Sequence, residues 1–422
     1  MRVLPLFLLT ALAASGASAQ TFGLRPAIAP EGVDATTTAS TAPALAAKEP
    51  VDPYEALGIR AGGFILYPTL TITGGYTTNA AASAGGTGAT FATVEPELLI
   101  QSDWDRHEFT LTASGGYERF FDGTTADKPS ASAKATGRID LADGWTSDLA
   151  AGVDYKLDDI PDGADTAPPV TELTSSAALN GSFGRADFTV EGTTDRSVYG
   201  DASNAGVPVD QGDRNNTVFG GRLRVGFDAT PVLSPFVEGQ IARRTYDRQF
   251  DTNSLQRSST GTAFRAGVAF DHGPLLTGEI AFGTRQEVFD DPALTGIQAF
   301  TIDGNLVWAP TELTTVTLDT STTINPNTDP ASSGSVEHDG SLEIAYAWRD
   351  NVTLTGTASI ANEQFQGTGE DDNTYDVGLG ATWKLNRMFW LTADYTHEWY
   401  VSSDPTQNYT SDTFKLSLKA QR

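Results

Sequence analysis

Five arginines stand close together in one part of the chain. Arg222 and Arg224 lie in FGGRLRVGF, Arg244 in QIARRTY, Arg265 in TAFRAGVAF and Arg285 in AFGTRQE. Glu238 and Glu279 are interleaved with them, and Asp376, Asp394 and Glu398 follow further on, with Lys415 and Lys419 beyond. A guanidinium fork binds carboxylate or phosphate through two parallel hydrogen bonds. Such a set therefore either holds anions or is neutralised by neighbouring carboxylates. Other chemistry is thinly provided. There are four histidines and no cysteine, so disulfides and thiol chemistry are excluded. His397, near Asp394 and Ser402, is the one arrangement with hydrolase-like residue types; a lone histidine at a strand end is more often interfacial. The Gly-rich AGGTGAT at 84–90 lacks the GK[ST] of a phosphate cradle. The acidic runs (Asp158, Asp159, Asp162 and Asp165; Asp290 and Asp291; Glu370, Asp371 and Asp372) lack the spacing of a calcium loop. The chain reads as no enzyme, with no metal and no cofactor.

What positions these charges is visible in NRMFWLTADYTHEWYV, 386–401. At a step of two, Phe389, Leu391, Ala393, Tyr395 and Trp399 share one side, and Thr392, Asp394, Thr396 and Glu398 the other. That is a strand with one apolar and one wet face. Aromatic residues crowd both ends, as lipid interfaces favour. The same alternation sends Phe219, Leu223, Val225 and Phe227 to one face and Arg222 and Arg224 to the other. Val237 and Ile241 likewise oppose Glu238, Gln240 and Arg244, and Phe264, Val268 and Phe270 oppose Arg265.

The 422 residues carry a formal charge of −27, which argues against nucleic acid as a partner and against a polybasic anchor. Mean hydropathy is −0.24, too polar for a helical membrane protein but compatible with a membrane barrel, in which half of each strand faces water. The one long apolar run is MRVLPLFLLTALAASGASAQ. Arg2, the apolar stretch Val3 to Ala14 and the A-x-A site at 17–19 read as a signal peptide over 1–19. Residues 20–60 read as a flexible Ala/Thr/Pro-rich N-terminal extension, and 61–422 as the barrel.

From residue 64, tight polar turns recur about every forty residues: DWDRHE, ADGW, FGRAD, ATPVL, DHGPL, WAPTE, WRDNV and LNRM. Longer connectors alternate with them. Each period holds two uninterrupted alternating tracts, longer than the soluble norm of about five or six residues and suited to a tilted bilayer crossing. The tracts number about eighteen. The pattern predicts an all-β fold, a transmembrane antiparallel up-and-down β-barrel of about 18 strands. A secreted β-sandwich or solenoid is the rival.

DPYEALGIRAGGFILYPTLTITGGYTTN (52–79) and LLIQSDWDRHEFTLTASGGYERF (98–120) resemble the beta-barrel porin 2 family of alphaproteobacterial outer-membrane proteins. The specific part of the likeness is the DPYE start, the GIRAG step, the aromatic-Pro strand and the GGY-x-x-N end; the rest follows by hairpin pattern. The resemblance implies an outer-membrane barrel without a defined substrate, and some relatives are linked to surface polysaccharide.

In such a barrel Arg222, Arg224, Arg244, Arg265 and Arg285 form a basic cluster on the lumen wall. Glu238 and Glu279 lie among them, and Asp376, Asp394 and Glu398 stand opposite in strand order. Two readings are open: cross-strand pairs satisfying one another, or a selectivity constriction. The expected function is a porin-like channel for passive passage of small hydrophilic solutes. The alternatives are a barrel that exports or anchors surface polysaccharide, and a structural barrel with a closed lumen. Expected partners are outer-membrane lipid and lipopolysaccharide, the outer-membrane assembly machinery, polysaccharide in the export reading, and further copies in a homo-oligomer. Loops 156–170 and 200–214 are the candidates for folding inward.

Overall fold

In the computed structural model, residues 53–142, 144–158, 160–161, 164–325 and 332–422 are described. The expected signal peptide, most of the expected extension, and Asp159 and Asp162 of the acidic loop lie outside them. Among the described residues eighteen long strands form one antiparallel barrel. They are β1 (Phe64–Thr77), β2 (Ala89–Ser102), β3 (Glu108–Phe120), β4 (Lys128–Ala142), β5 (Trp145–Leu157) and β6 (Pro169–Phe183). Next come β7 (Ala186–Tyr199), β8 (Asn216–Phe227), β9 (Leu233–Tyr246), β10 (Ser259–Asp271), β11 (Leu276–Phe289) and β12 (Ile297–Thr311). The last six are β13 (Thr314–Asn325), β14 (Gly334–Arg349), β15 (Val352–Gln366), β16 (Asp371–Lys384), β17 (Phe389–Ser402) and β18 (Tyr409–Gln421). Each pairs with its sequence neighbours, and β1 pairs with β18 from Thr69↔Gln421 to Thr77↔Thr413, which closes the sheet. No helix among the described residues is long and apolar enough to cross a membrane.

The tight turns all fall at one end. At Gly144 and Gly184 the backbone takes φ +76° and +66°, the left-handed geometry that two-residue hairpins need and glycine adopts without a Cβ clash. The long connectors fall at the other end, and both strand termini of the barrel lie at the turn end. There Ile59–Ala61 folds back on Phe64–Leu66, and the Arg387 Nε donates to the Pro53 carbonyl at 2.8 Å.

Outward residues form the apolar surface. Trp145, Phe183, Trp308, Trp348, Trp383 and Phe389 ring the turn end; Tyr76, Tyr117, Tyr155, Tyr375 and Trp399 ring the loop end; Val377, Leu379, Leu416 and Leu418 lie between. All are exposed in the isolated chain, the position that lipid fills. Inward faces are polar, and buried apolar residues are confined to small clusters rather than one core. Charge on the outer midline should therefore be costly. Leu379, 65% exposed between Tyr375 and Trp383, tests this. Leu379→Arg is expected to lower stability by about 2–4 kcal/mol in urea titrations of the barrel refolded in vesicles, with Thr396→Arg on the inward face of β17 nearly neutral.

Candidate functional site

The register sets the charges of the inner wall at common heights. Arg224 of β8, Glu238 of β9, Arg265 of β10 and Gly283 of β11 are consecutive partners across the sheet. Arg222, Gln240, Ala263, Arg285 and Ala299 form the next row towards the loops. Large guanidinium groups fit beside one another because small residues alternate with them. A Cβ on Gly283 would sit 2.2 Å from the Phe264 carbonyl and 2.8 Å from the Arg265 Cγ.

Acids join Arg222 and Arg265 of the cluster expected from sequence into one network and hold Arg224 in a separate pair. Glu238, wholly buried, takes the guanidinium of Arg265 on one oxygen and that of Arg222 at 3.2 Å on the other, and Gln240 Nε2 donates to it at 2.6 Å. Arg222 also pairs with Glu191 of β7 at 2.7 Å. Arg265 donates on to Asp303 of β12 at 2.9 Å. Arg224 holds Glu279 through two bonds of 3.0 and 2.6 Å and lies over the Phe236 ring. Arg244 donates to Asn216 Oδ1 at 3.2 Å. Arg285 donates to the Thr322 carbonyl at 2.8 Å, while its Nε and Nη2 find no hydrogen-bond partner among the described residues. Arg265 and Arg285 are each only 1% exposed.

The acidic side is arranged differently. Asp376 accepts from the Ser359 hydroxyl at 3.0 Å, and Asp394 stands opposite Lys415 in the β17–β18 ladder. Glu398 is buried beside Tyr409, whose ring stacks on Tyr400 at 5.0 Å and 15°. Lys384 and Lys419 place their ammonium groups 5.0 and 5.3 Å from the centre of the Trp390 ring. Further round, Lys134 of β4 and Asp154 of β5, inward by alternation, remain exposed to solvent.

His397 does not join Asp394 and Ser402. It falls on the outward face of β17, where its Nδ1 meets Asp412 Oδ1 at 2.6 Å and its ring packs edge-on against Trp399. The hydroxyl of Tyr395 shares the same carboxylate at 2.8 Å. The nearest thing to a catalytic set is thus split across the sheet, and no group of acids and histidines among the described residues is placed to hold a metal ion.

At the loop rim several of the acids of the acidic runs are paired. Loops 158–168 and 200–215 are tied together: Asp158 pairs with Arg214 at 2.6 Å, the Arg214 guanidinium covers the Tyr199 ring at 4.1 Å, and the Asp165 N–H donates to the Ser203 carbonyl at 2.7 Å. Arg196 grips Asp247 through two 2.6 Å bonds, and Arg243 grips Asp290 at 2.8 and 2.6 Å. These guanidinium bonds hold the Asp247 and Asp290 carboxyls below the usual range. Backbone N–H groups of Gln256 and Ala293 do the same for Asp291.

Sequence reasoning missed Glu191 and Asp303, which complete the arginine network, and Thr322, which docks on it. Asp303 shares the inward parity of its strand, but only the register shows which arginine it meets.

The buried and exposed pairs should differ sharply. Arg265→Met strips both Glu238 and Asp303 of a partner and is expected to cost about 3–5 kcal/mol in urea titration, whereas Arg243→Ala at the rim should cost no more than about 1 kcal/mol. The loop pairs also set a pH response. The Asp247, Asp290 and Asp291 carboxyls titrate below the unfolded value of about 4, so their stabilisation is complete above that pH and is lost as pH falls through the lower folded values. Pepsin should leave segment 247–258 intact at about pH 4 and cut it only in stronger acid; cleavage already at about pH 4 would contradict the pairing.

The sequence profile described as "Putative beta-barrel porin 2" matches residues 52–422. No curated protein is significantly similar to the chain. Among solved structures, OccAB4 of Acinetobacter baumannii is similar at 10% identity and TM-score 0.44, with 88% of this chain and 100% of that one covered. The outer membrane protein opdK of Pseudomonas aeruginosa is similar at 11% and 0.43, with 85% and 98% covered. A mutant ferric enterobactin receptor, PfeA of the same organism, is similar at 9% and 0.43, with 85% and 80% covered. With the matched segment spanning the whole barrel, the chain belongs to the beta-barrel porin 2 family of outer-membrane barrels.

Proposed function

We propose that the barrel is a passive channel for small hydrophilic solutes and that it favours cations. The observation that carries this is the unequal state of the inner wall. On the β8–β12 arc Arg265 is buried and Arg222 and Arg224 half-buried, all three held by carboxylates, while Arg244 and Arg285 are buried against Asn216 and the Thr322 carbonyl. Elsewhere inward polar groups such as Lys134 and Asp154 stay in contact with water. Barrels of 16–18 strands leave an aqueous lumen, so a wet arc of wall is what a diffusing ion or solute would meet. That arc is mainly acidic. Glu95, Glu97, Glu118, Asp148, Asp154, Glu172, Asp319, Glu343, Asp376, Asp394 and Glu398 lie at inward positions, against Lys128, Lys134, Arg138, Lys156, Lys384, Lys415 and Lys419. With Arg222, Arg224 and Arg265 neutralised and Arg244 and Arg285 buried, the net field along the path is negative and raises the local concentration of cations. The signal peptide read from the sequence supports export through the inner membrane.

A second reading, passage of a sugar chain, is favoured by one feature: the stacked Tyr400 and Tyr409 at inward positions, with the Tyr400 hydroxyl on Asp372 at 2.5 Å. A flat aromatic face beside a carboxylate suits a pyranose ring.

Reconstitution in planar bilayers under a salt gradient tests the channel. Steady current with a reversal potential of cation-selective sign is expected, and Asp154→Lys with Asp394→Lys should move that potential towards anion selectivity. Silence under all conditions would remove the channel reading. Brief current blockades by neutral oligosaccharides, abolished by Tyr400→Ala, would bring the sugar reading forward.

A further inference from the structure

One stretch of the wall is not paired to its neighbour. The β12–β13 ladder runs from Thr311↔Thr314 to Gly304↔Thr320 and stops, although β12 continues as strand to Ile297 and β13 to Asn325. β12 remains paired with β11 over this stretch, and β13 with β14. The loop-side end of β13–β14 lies inside the barrel, against the inner face of β11 and β12. Ile324 and Val336 sit on the outward side of their strands by alternation. Yet they are buried in one cluster with Phe289, Ile297 and Ala299, which face inward. Side chains stand in for the missing ladder. Asp303 Oδ1 accepts the Thr322 N–H at 3.0 Å, Arg285 donates to the Thr322 carbonyl, and the Ile302 N–H donates to the Thr322 hydroxyl at 3.0 Å.

The same residues are patterned for a second seat. Continuing the register would put Thr322 opposite Ile302, Thr323 opposite Thr301 and Ile324 opposite Phe300. Ile324 and Val336 would then extend the outward apolar surface beside Phe300, and Ser321, Thr323 and Asn325 would present polar groups to the lumen. Both edges already hold strand geometry, and the three substitute hydrogen bonds would be exchanged for ladder bonds. The apolar patch of Phe289, Ile297 and Ala299, out of place on a wet wall, explains what holds the inner seat.

We infer that the loop-side end of β13–β14 is a wall segment with two seats, and that it sets the width of the lumen's loop-side mouth: narrow when tucked inside, wide when paired with β12. The width statement rests on the channel reading; the two seats do not. Through Asp303, which also accepts from Arg265, the segment is coupled to the buried arginine network.

Because the chain has no cysteine, engineered pairs report cleanly. Phe300 is 57% exposed on the outer surface and Ile324 4% exposed inside, so β12 separates them in the tucked seat. Phe300→Cys with Ile324→Cys is expected to cross-link under mild oxidant in outer-membrane vesicles, because re-pairing sets the two opposite. Leu306→Cys with Leu318→Cys, opposite each other in the paired half, is the positive control. Cross-linking of the control alone, after prolonged oxidation, overturns the two seats. Ala299→Cys with Val336→Cys joins two members of the buried cluster and should fix the tucked seat. In bilayers, oxidation should raise single-channel current for the first pair and lower it for the last, each reversed by reductant. Cross-linking without a change in current overturns the control of width. Absence of current in every protein, the unmodified barrel included, counts against the channel reading alone, since the gel still decides the seats.

Discussion

The bilayer interior offers no water to an unpaired backbone group, and each such group left in hydrocarbon costs several kcal/mol. That constraint dictates the rest of this molecule. A sheet crossing the membrane must have no edges, so β18 returns to β1 and the chain closes on itself. Closure commits every strand to two neighbours, and the pleat then sends successive side chains alternately to lipid and to the interior. The single long departure, between β12 and β13, obeys the same rule by other means. It occurs at the loop end, inside the wall, where Asp303, Arg285 and Thr322 supply the bonds the ladder would have made.

Charged groups survive inside because the pleat fixes which groups can meet. Glu238 lies between Arg224 and Arg265 in register, but it pairs with Arg265 and Arg222, while Arg224 reaches Glu279 three strands away. The long arginine side chain makes this diagonal pairing available, and the glycines and alanines of β10 and β11 give it room. The buried Glu238, Arg265 and Asp303 therefore each have a charged partner, the condition under which such charges are best tolerated, whereas Arg285 has the Thr322 carbonyl alone.

Much of this was legible from residue order. Alternation, turn chemistry and the forty-residue period suffice for a barrel of about eighteen strands, because each depends only on neighbours along the chain. NRMFWLTADYTHEWYV illustrates the reach and the limit of that reading. Its alternation sets Asp394 and Glu398 on the wet face, but the partner of His397 comes from β18, across a ladder whose register no local pattern specifies. The arginines were visible as a set, whereas Glu191 and Asp303 looked like ordinary wall carboxylates. Ile324 and Val336 were least legible of all. Their parity is that of lipid-facing residues, and only the interruption of pairing past Gly304, which sets their segment inside the wall, buries them.

The neutralised arc changes what the basic cluster can do. A free guanidinium row would attract anions. Here Arg222, Arg224 and Arg265 already hold carboxylates at close range, and the Arg265 pairs are out of contact with water. An incoming anion would have to displace a bound carboxylate and leave it buried and unpaired, which costs more than the new contact returns. The arc therefore acts as a stiff, nearly neutral flank. On the channel proposal, the acids facing it, Asp376 and Asp394 among them, are left to set the sign of the field along the lumen.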